Sequence, residues 1–367
     1  VRHHAIYETL ETQLATGVWK AGDKLPTERA LAEQYQVSRP TISKVLSRLQ
    51  DLGLIRRVVG AGTFVTRPAP PLPAPSIRTL GLFIPGLGHG EIFEPICARI
   101  AELSHTFDFD LTWGGVPAGP DQADHAAHLR QTAQRFIDNR VDGVFFQPVE
   151  REPGSVNQNL RIAAMFEAAQ IPMVLLDSDY LPYPERSAHD LVSIDNVQAA
   201  WVLCAHLLDQ GPRRVDFLWQ PNTADTYSLR LCGYREALLR AGIEPSRAYE
   251  HEGDPCDLAF VQALLADGAR DLVCVNDETA ALLMRSLDQL EIRVPGQMRI
   301  AGFDDVKYAQ MARVPLTTMR QPCRSLGEAA LQTMIERIAN PRMPPRTVYI
   351  AATLCARAST VRPETAT

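Results

Sequence analysis

From residue 79 onward, short apolar runs alternate with stretches whose apolar residues recur every three or four positions. The runs at 79–85, 143–147, 173–177, 215–219, 272–275 and 299–303 have strand length. The first five are each followed by a stretch of helical period, at 93–104, 159–169, 197–208, 229–241 and 278–290. Repeated strand–helix alternation predicts an α/β fold with parallel sheets covered on both faces by helices. The stretch is long for one sheet, so two lobes are expected.

Residues 1–67 have a different pattern. Helices are predicted near 5–15, 28–35 and 39–52, followed by short strands. Thr27 and Ser38 stand where the second and third helices begin and can offer side-chain oxygens to unpaired helix-start amides; Pro40 fits a first turn, where a missing amide costs little. In 54–65 apolar residues flank Gly60 and Gly62, which predicts a hairpin, a wing beside the helices. Between the halves, Pro68, Pro70, Pro71, Pro73 and Pro75 favour extended geometry and mark a semi-rigid linker. The expected organisation is a head over 1–67, a linker over 68–76 and a two-lobed body over 77–361.

Composition narrows the class. Of 367 residues 46% are hydrophobic and 22% charged, an ordinary globular balance, and no apolar run approaches the roughly 20 residues that cross a bilayer. The first residues show no basic segment followed by an apolar stretch and a cleavage site, so a cytoplasmic protein with no membrane partner is expected. Seven scattered cysteines form no CxxC pair, and the nine histidines show no HExxH-like spacing. No metal or cofactor is expected, and His125 and His128 read as an exposed helical pair. The net charge of −6 is asymmetric: residues 1–67 carry +4 and the remainder −10, so the head suits an anionic partner.

The head's motifs, Leu25-Pro26-Thr27-Glu28-Arg29, Val37-Ser38-Arg39-Pro40-Thr41, Leu52-Gly53-Leu54-Ile55 and Gly60-Ala61-Gly62-Thr63-Phe64-Val65, resemble in order and spacing the GntR-type winged helix-turn-helix. Operator DNA is the partner this implies. The resemblance assigns Arg29, Arg39 and Thr41 to DNA contact, with Ser38 beginning the helix that enters the major groove, and places the wing around Gly62 and Thr63 at the minor groove or phosphates. Ser43 departs from the pattern, since many relatives have a basic residue there, and Lys44 or Arg48 is left to supply the cation. Of the adjacent Arg56 and Arg57, one must point away from any DNA.

The body resembles the LacI/GalR-type effector domain and the related periplasmic sugar-binding proteins. The resemblance rests on Leu80-Gly81-Leu82-Phe83-Ile84-Pro85, Ile171 to Asp177, Ser193-Ile194-Asp195-Asn196, Arg230-Leu231-Cys232-Gly233-Tyr234-Arg235, Val275-Asn276-Asp277 and Ile300-Ala301-Gly302-Phe303-Asp304-Asp305. Such lobes bind a small molecule between the carboxyl ends of their strands. Carried over by motif, Asp177, Arg230, Asn276 and Asp304 line the cleft, because polyhydroxy ligands need donors and acceptors at fixed angles. Phe93 and Trp219 are candidates for an apolar wall, and Gln147 ends its strand. Arg230 has a structural alternative as half of an internal ion pair. Asp195 and Asn196 read as caps of the following helix, and Asp305 as a brace for its turn. The loop 86–91 departs from the family sequence, and the proline linker replaces the DNA-contacting hinge helix of LacI-type proteins.

A GntR-type head on a LacI-type body is a combination that arabinose-responsive repressors also have. The expectation is a homodimeric transcriptional regulator that a sugar releases from its operator. A nucleoside or another polar metabolite remains an alternative effector. A transport component would carry an export signal and no winged helix. An enzyme, for example one with an aminotransferase-like body, would show a cofactor lysine in a phosphate-cradling context, whereas Lys307 is the only lysine beyond the head and no nucleophile elbow or P-loop is present.

Overall fold

The computed structural model describes residues 6–7, 9–10, 13, 19–20, 22–51, 54–58, 62–66, 77–85, 91–115, 122–150, 154–212, 214–221 and 223–361, without the side chains of Arg48, Asp51, residues 122–124 and Tyr308. Two compact units divide the chain, Val1–Pro75 and Ser76–Thr367.

In the first unit residues 6, 7, 9, 10 and 13 are helical, and the helices Glu28–Gln34 and Arg39–Asp51 follow. Thr27 caps the former, its hydroxyl accepting from the Ala30 amide at 3.2 Å. Ser38 caps the latter, its hydroxyl taking the Thr41 amide at 3.4 Å. Ile42, Val45, Leu46 and Leu49 fall on one helical face and bury against Ile6, Tyr7, Leu10, Leu25 and Leu31. Each such side chain contributes about 1.5–3 kcal/mol on burial, enough together to fix which face of the helix is left outward. Strands β1 (Ile55–Val58) and β2 (Gly62–Val65) pair antiparallel as the wing. The expected tip at 59–61 and the linker at 68–76 lie outside the described residues.

The second unit has two lobes. The first holds β3 (Thr79–Phe83), β4 (Asp110–Gly114), β5 (Gly143–Phe146), β6 (Met173–Leu176), β7 (Asp190–Ile194) and β13 (Thr347–Ile350) in the order β13-β7-β6-β5-β3-β4. Every pairing is parallel. The other lobe holds β8 (Asp216–Trp219), β9 (Glu250–Glu252), β10 (Asp271–Cys274), β11 (Arg299–Asp304), β12 (Thr317–Arg320) and β14 (Thr353–Cys355) in the order β14-β12-β11-β10-β8-β9. Its edge strand β14 is antiparallel to β12, a departure from the expected all-parallel arrangement. The chain passes between lobes three times, after β7, after β12 and between β13 and β14. The first two passages leave from the carboxyl ends of β7 and β12.

Candidate functional site

In the head, burial of the face bearing Ile42 and Val45 leaves Arg39, Pro40, Ser43, Lys44 and Ser47 along a shallow groove with Glu28. Arg39 and Lys44 are both exposed there, which makes Lys44 a described cation beside Ser43; Arg48 lies outside the described side chains. The Thr41 hydroxyl is shared with Ser38 at 2.8 Å. Arg29 projects into solvent and pairs with Glu33 at 3.0 Å, one turn along its helix. Arg56 is exposed, whereas Arg57 turns inward, donating to the Ser43 carbonyl at 3.0 Å and pairing with Glu28 at 3.2 Å. Arg57 therefore fastens the wing to the groove helix. Gly62 has φ +121° and backs onto Lys24, whose chain a Cβ would strike; Lys24 itself lies 5.9 Å from the Phe64 ring centre. Thr63 is half-buried, and its carbonyl receives the Leu25 amide.

In the body, Asp177, Arg230 and Asp304 come together from three elements. Asp177 directly follows β6 of the first lobe; Arg230 lies on the helix Thr226–Arg240 and Asp304 ends β11, both in the second. Arg230 is 4% exposed. Its Nη2 lies 3.6 Å from Asp304 Oδ1, and its guanidinium carbon stands 4.5 Å from the Phe303 ring centre. Burial pushes the Asp177 carboxyl up to about 6; the Arg230 charge pulls it back and the Asp304 charge adds to the rise. Asp177 and Asp304 both have positive φ, +71° and +109°. For residues with a Cβ this costs about 1–3 kcal/mol each, and such strain clusters at ligand sites.

Sequence reasoning missed Gln321, which directly follows β12. It is buried and donates from Nε2 to Asp304 Oδ1 at 2.8 Å. No motif marked it, and its value comes from following a strand whose partner β11 ends in Asp304. Three buried acceptor atoms, Asp177 Oδ1, Gln147 Oε1 and Gln321 Oε1, have no hydrogen-bond partner among the described residues. Gln147 and Asp177 follow the neighbouring strands β5 and β6. Around Arg230 the cluster thus joins Asp177 of the first lobe to Asp304 of the second, with Gln321 bonded to Asp304.

The other expected residues have more structural duties. Asn276 is half-buried and caps the helix Asp277–Gln289, its Oδ1 accepting the Thr279 amide at 2.8 Å. Trp219 is half-buried and stacks on Tyr227, ring centres 5.6 Å apart. Phe93, in the first turn of the helix Phe93–Phe107, is buried in the hydrophobic core with Ile96 and Ile100. Asp195 caps the next helix through the Gln198 amide at 2.9 Å. Asn196 is no cap: buried at 2% exposure, it accepts a hydrogen bond from Arg230 Nε at 2.8 Å. Asp305 braces as expected, held by Arg320 and Arg357 at 2.6 Å each. His125 and His128 are not an exposed pair, because His125 turns into the lobe and only His128 faces outward. Asp277 is fully buried, and burial, with the Asp304 charge next, raises its carboxyl well above the usual range. Among the described residues no cluster of three metal-ligating side chains occurs, and no helix is long and apolar enough to cross a membrane.

Comparison with known proteins agrees with both halves. The family of bacterial regulatory proteins of gntR type matches residues 3–65, and the periplasmic binding protein-like domain matches residues 204–360. The arabinose metabolism transcriptional repressor of Geobacillus stearothermophilus is 26% identical over 334 residues, 89% of this chain and 88% of the relative. The ribose operon repressor of Escherichia coli is 28% identical over 236 residues, 63% of this chain and 68% of the relative. Among solved structures, a sugar-binding transcriptional regulator of the LacI family from Escherichia coli, complexed with phosphate, superposes with a TM-score of 0.60 at 26% identity, covering 78% of this chain and 99% of the other. The chain is thus a ligand-responsive transcriptional regulator. It carries a GntR-type DNA-binding head and a periplasmic-binding-protein-like body.

Proposed function

We propose that this regulator is a repressor whose effector is a neutral sugar, bound between the lobes by Asp177, Arg230, Asp304, Gln147 and Gln321, with Asn276, Trp219 and Phe93 bounding the cleft. The observation that carries this reading is the charged set Asp177, Arg230 and Asp304 drawn from both lobes, with buried acceptors of Asp177 and of Gln321, which bonds Asp304, left unpartnered. A buried acceptor without a partner costs about 1–3 kcal/mol, so the cleft favours a ligand that brings several donors at once. Sugar hydroxyls donate to Asp177, Gln147 and Gln321 and accept from Arg230. An anionic ligand would meet two carboxylates, and a nucleobase would leave acceptors unmet. The names of the relatives, repressors of arabinose and ribose operons, point the same way.

The head reads operator DNA through Arg39, Thr41 and Lys44, with Arg29, Ser38 and the wing at Gly62 and Thr63 steadying it on phosphates. Two copies joined through their bodies present two heads to a two-fold operator in the cytoplasm. Sugar binding changes the relation of the lobes and releases the DNA, which requires the cleft to differ between the two states. The protein binds and does not catalyse, and the head, linker and body extend over 1–67, 68–76 and 77–361.

Thermal unfolding of the full chain against L-arabinose, D-ribose, other neutral sugars, sugar phosphates and nucleosides tests the effector class. A ligand at a hundred times its Kd adds about 2.7 kcal/mol, several degrees in Tm. A rise with one neutral sugar is expected; a rise with nucleosides or sugar phosphates alone overturns the reading.

A further inference from the structure

Arg230 is held by groups from three segments. Nε donates to Asn196 Oδ1 at 2.8 Å, Nη1 donates to the Val275 carbonyl at 2.5 Å, and Nη2 faces Asp304. Asn196 differs from the other two in its place in the chain. It opens the helix Asn196–Leu208, directly beyond the first passage between the lobes, and its Nδ2 reaches back to the carbonyl of Ile194, the last residue of β7, at 3.4 Å. One amide thus spans the passage and grips the arginine.

The grip is enforced by packing. Gly233 lies three residues beyond Arg230, on the same helix face, and a Cβ there would run into the carbonyl oxygen of Val197. The helices Asn196–Leu208 and Thr226–Arg240 therefore approach to backbone contact at the turn where Asn196 meets Arg230. A similar link serves the second passage, where Gln321 donates to Asp304. Arg230 and Asp304 are each hydrogen-bonded by a residue standing where the chain crosses between lobes.

We propose that Asn196 is a positioning residue that ties Arg230 to the first interlobe passage and so converts occupancy of the cleft into a change in the relation of the lobes. The inference rests on the reading of Arg230 as an effector-binding group. Rotation of one lobe against the other is absorbed by backbone torsions in the passages. A side chain bonded across a passage keeps its orientation only while those torsions keep theirs. A ligand that selects one orientation of Arg230 therefore selects one lobe geometry, and the selection is lost when the bond is removed.

The test uses the full chain, L-arabinose and D-ribose as probes, and a DNA duplex recovered by selection from a random pool. Sugar Kd is measured by calorimetry and DNA Kd by fluorescence anisotropy, with and without saturating sugar. Asn196→Leu keeps similar bulk without an acceptor, Asn196→Ala serves if that variant does not fold, and Asn196→Asp keeps the acceptor. The acceptor-free variants are expected to bind sugar about tenfold more weakly and, at saturating sugar, to lose most of the sugar-induced change in DNA Kd. Asn196→Asp is expected to stay near wild type in both. If the acceptor-free variants are merely less heat-stable and keep the wild-type change at saturation, Asn196 is structural and the proposal falls while the sugar reading stands. A wild-type protein that responds to neither pentose nor to any other neutral sugar overturns both.

Discussion

Asp177 is a residue whose cost to the fold is legible. Its carboxyl is buried and raised to about 6, against an unfolded value of 3.8. A carboxyl raised on folding carries no penalty below pH 4, where it is neutral in both states. The penalty grows from pH 4 to 6 and is complete above pH 6. At about 1.4 kcal/mol per pKa unit it amounts to about 3 kcal/mol at neutral pH. Asp177→Asn is therefore expected to raise the Tm of the sugar-free protein at pH 7.5, with the gain shrinking toward pH 4, and to weaken sugar binding at least tenfold. Equal stabilisation at both pH values, measured by calorimetry, would mean that burial of charge is not the cause. The positive φ of Asp177 and Asp304 points the same way, since both residues sit in conformations that packing alone does not reward.

At the level of elements, the groove helix Arg39–Asp51 and the wing behave as one part, because Arg57 joins the Ser43 carbonyl and Glu28 to β1. Arg39→Ala is expected to weaken operator binding by about 1–3 kcal/mol and to leave the sugar-induced Tm shift untouched. Unchanged anisotropy titrations would remove Arg39 from the interface. The same scale shows what the sequence conveyed. Strands β3, β5, β6, β8, β10 and β11 were readable as apolar runs because both faces are covered, and β5 and β6 have no polar interruption. Strands β4, β7, β9, β12, β13 and β14 were not. They lie at or next to sheet edges or are only half covered, and β9 reads Glu250-His251-Glu252, with no apolar signal. Polar residues at helix starts were ambiguous for a related reason. Asp195 and Asn276 both cap a helix, and only the second was expected in the cleft. Asn196 sits one place past a cap, where sequence gives no hint that a helix two elements later brings an arginine to it.

At the scale of the whole molecule, each unit has a hydrophobic core of its own among the described residues: Ile42, Leu46 and Leu49 anchor one in the head, and the clusters of the body are built from residues beyond 76. A chain beginning at Ser76 is expected to unfold cooperatively and to keep the full sugar-induced Tm rise while losing DNA binding. A truncated protein that aggregates or ignores the sugar would show that the body depends on the head.

The three passages between the lobes also bear on how such a chain can be inherited. Each lobe is assembled from stretches far apart in the gene, with β13 returning to the first lobe after the second is almost complete. A single recombination event cannot exchange one lobe and leave a whole domain behind. The head, by contrast, ends before the body begins and is attached by one covalent strand, so one crossover within the codons for 67–76 delivers a complete reader to a complete sensor. New pairings of DNA site and metabolite are therefore within reach of one swap of a whole head, whereas a lobe of the body has to change by substitution in place.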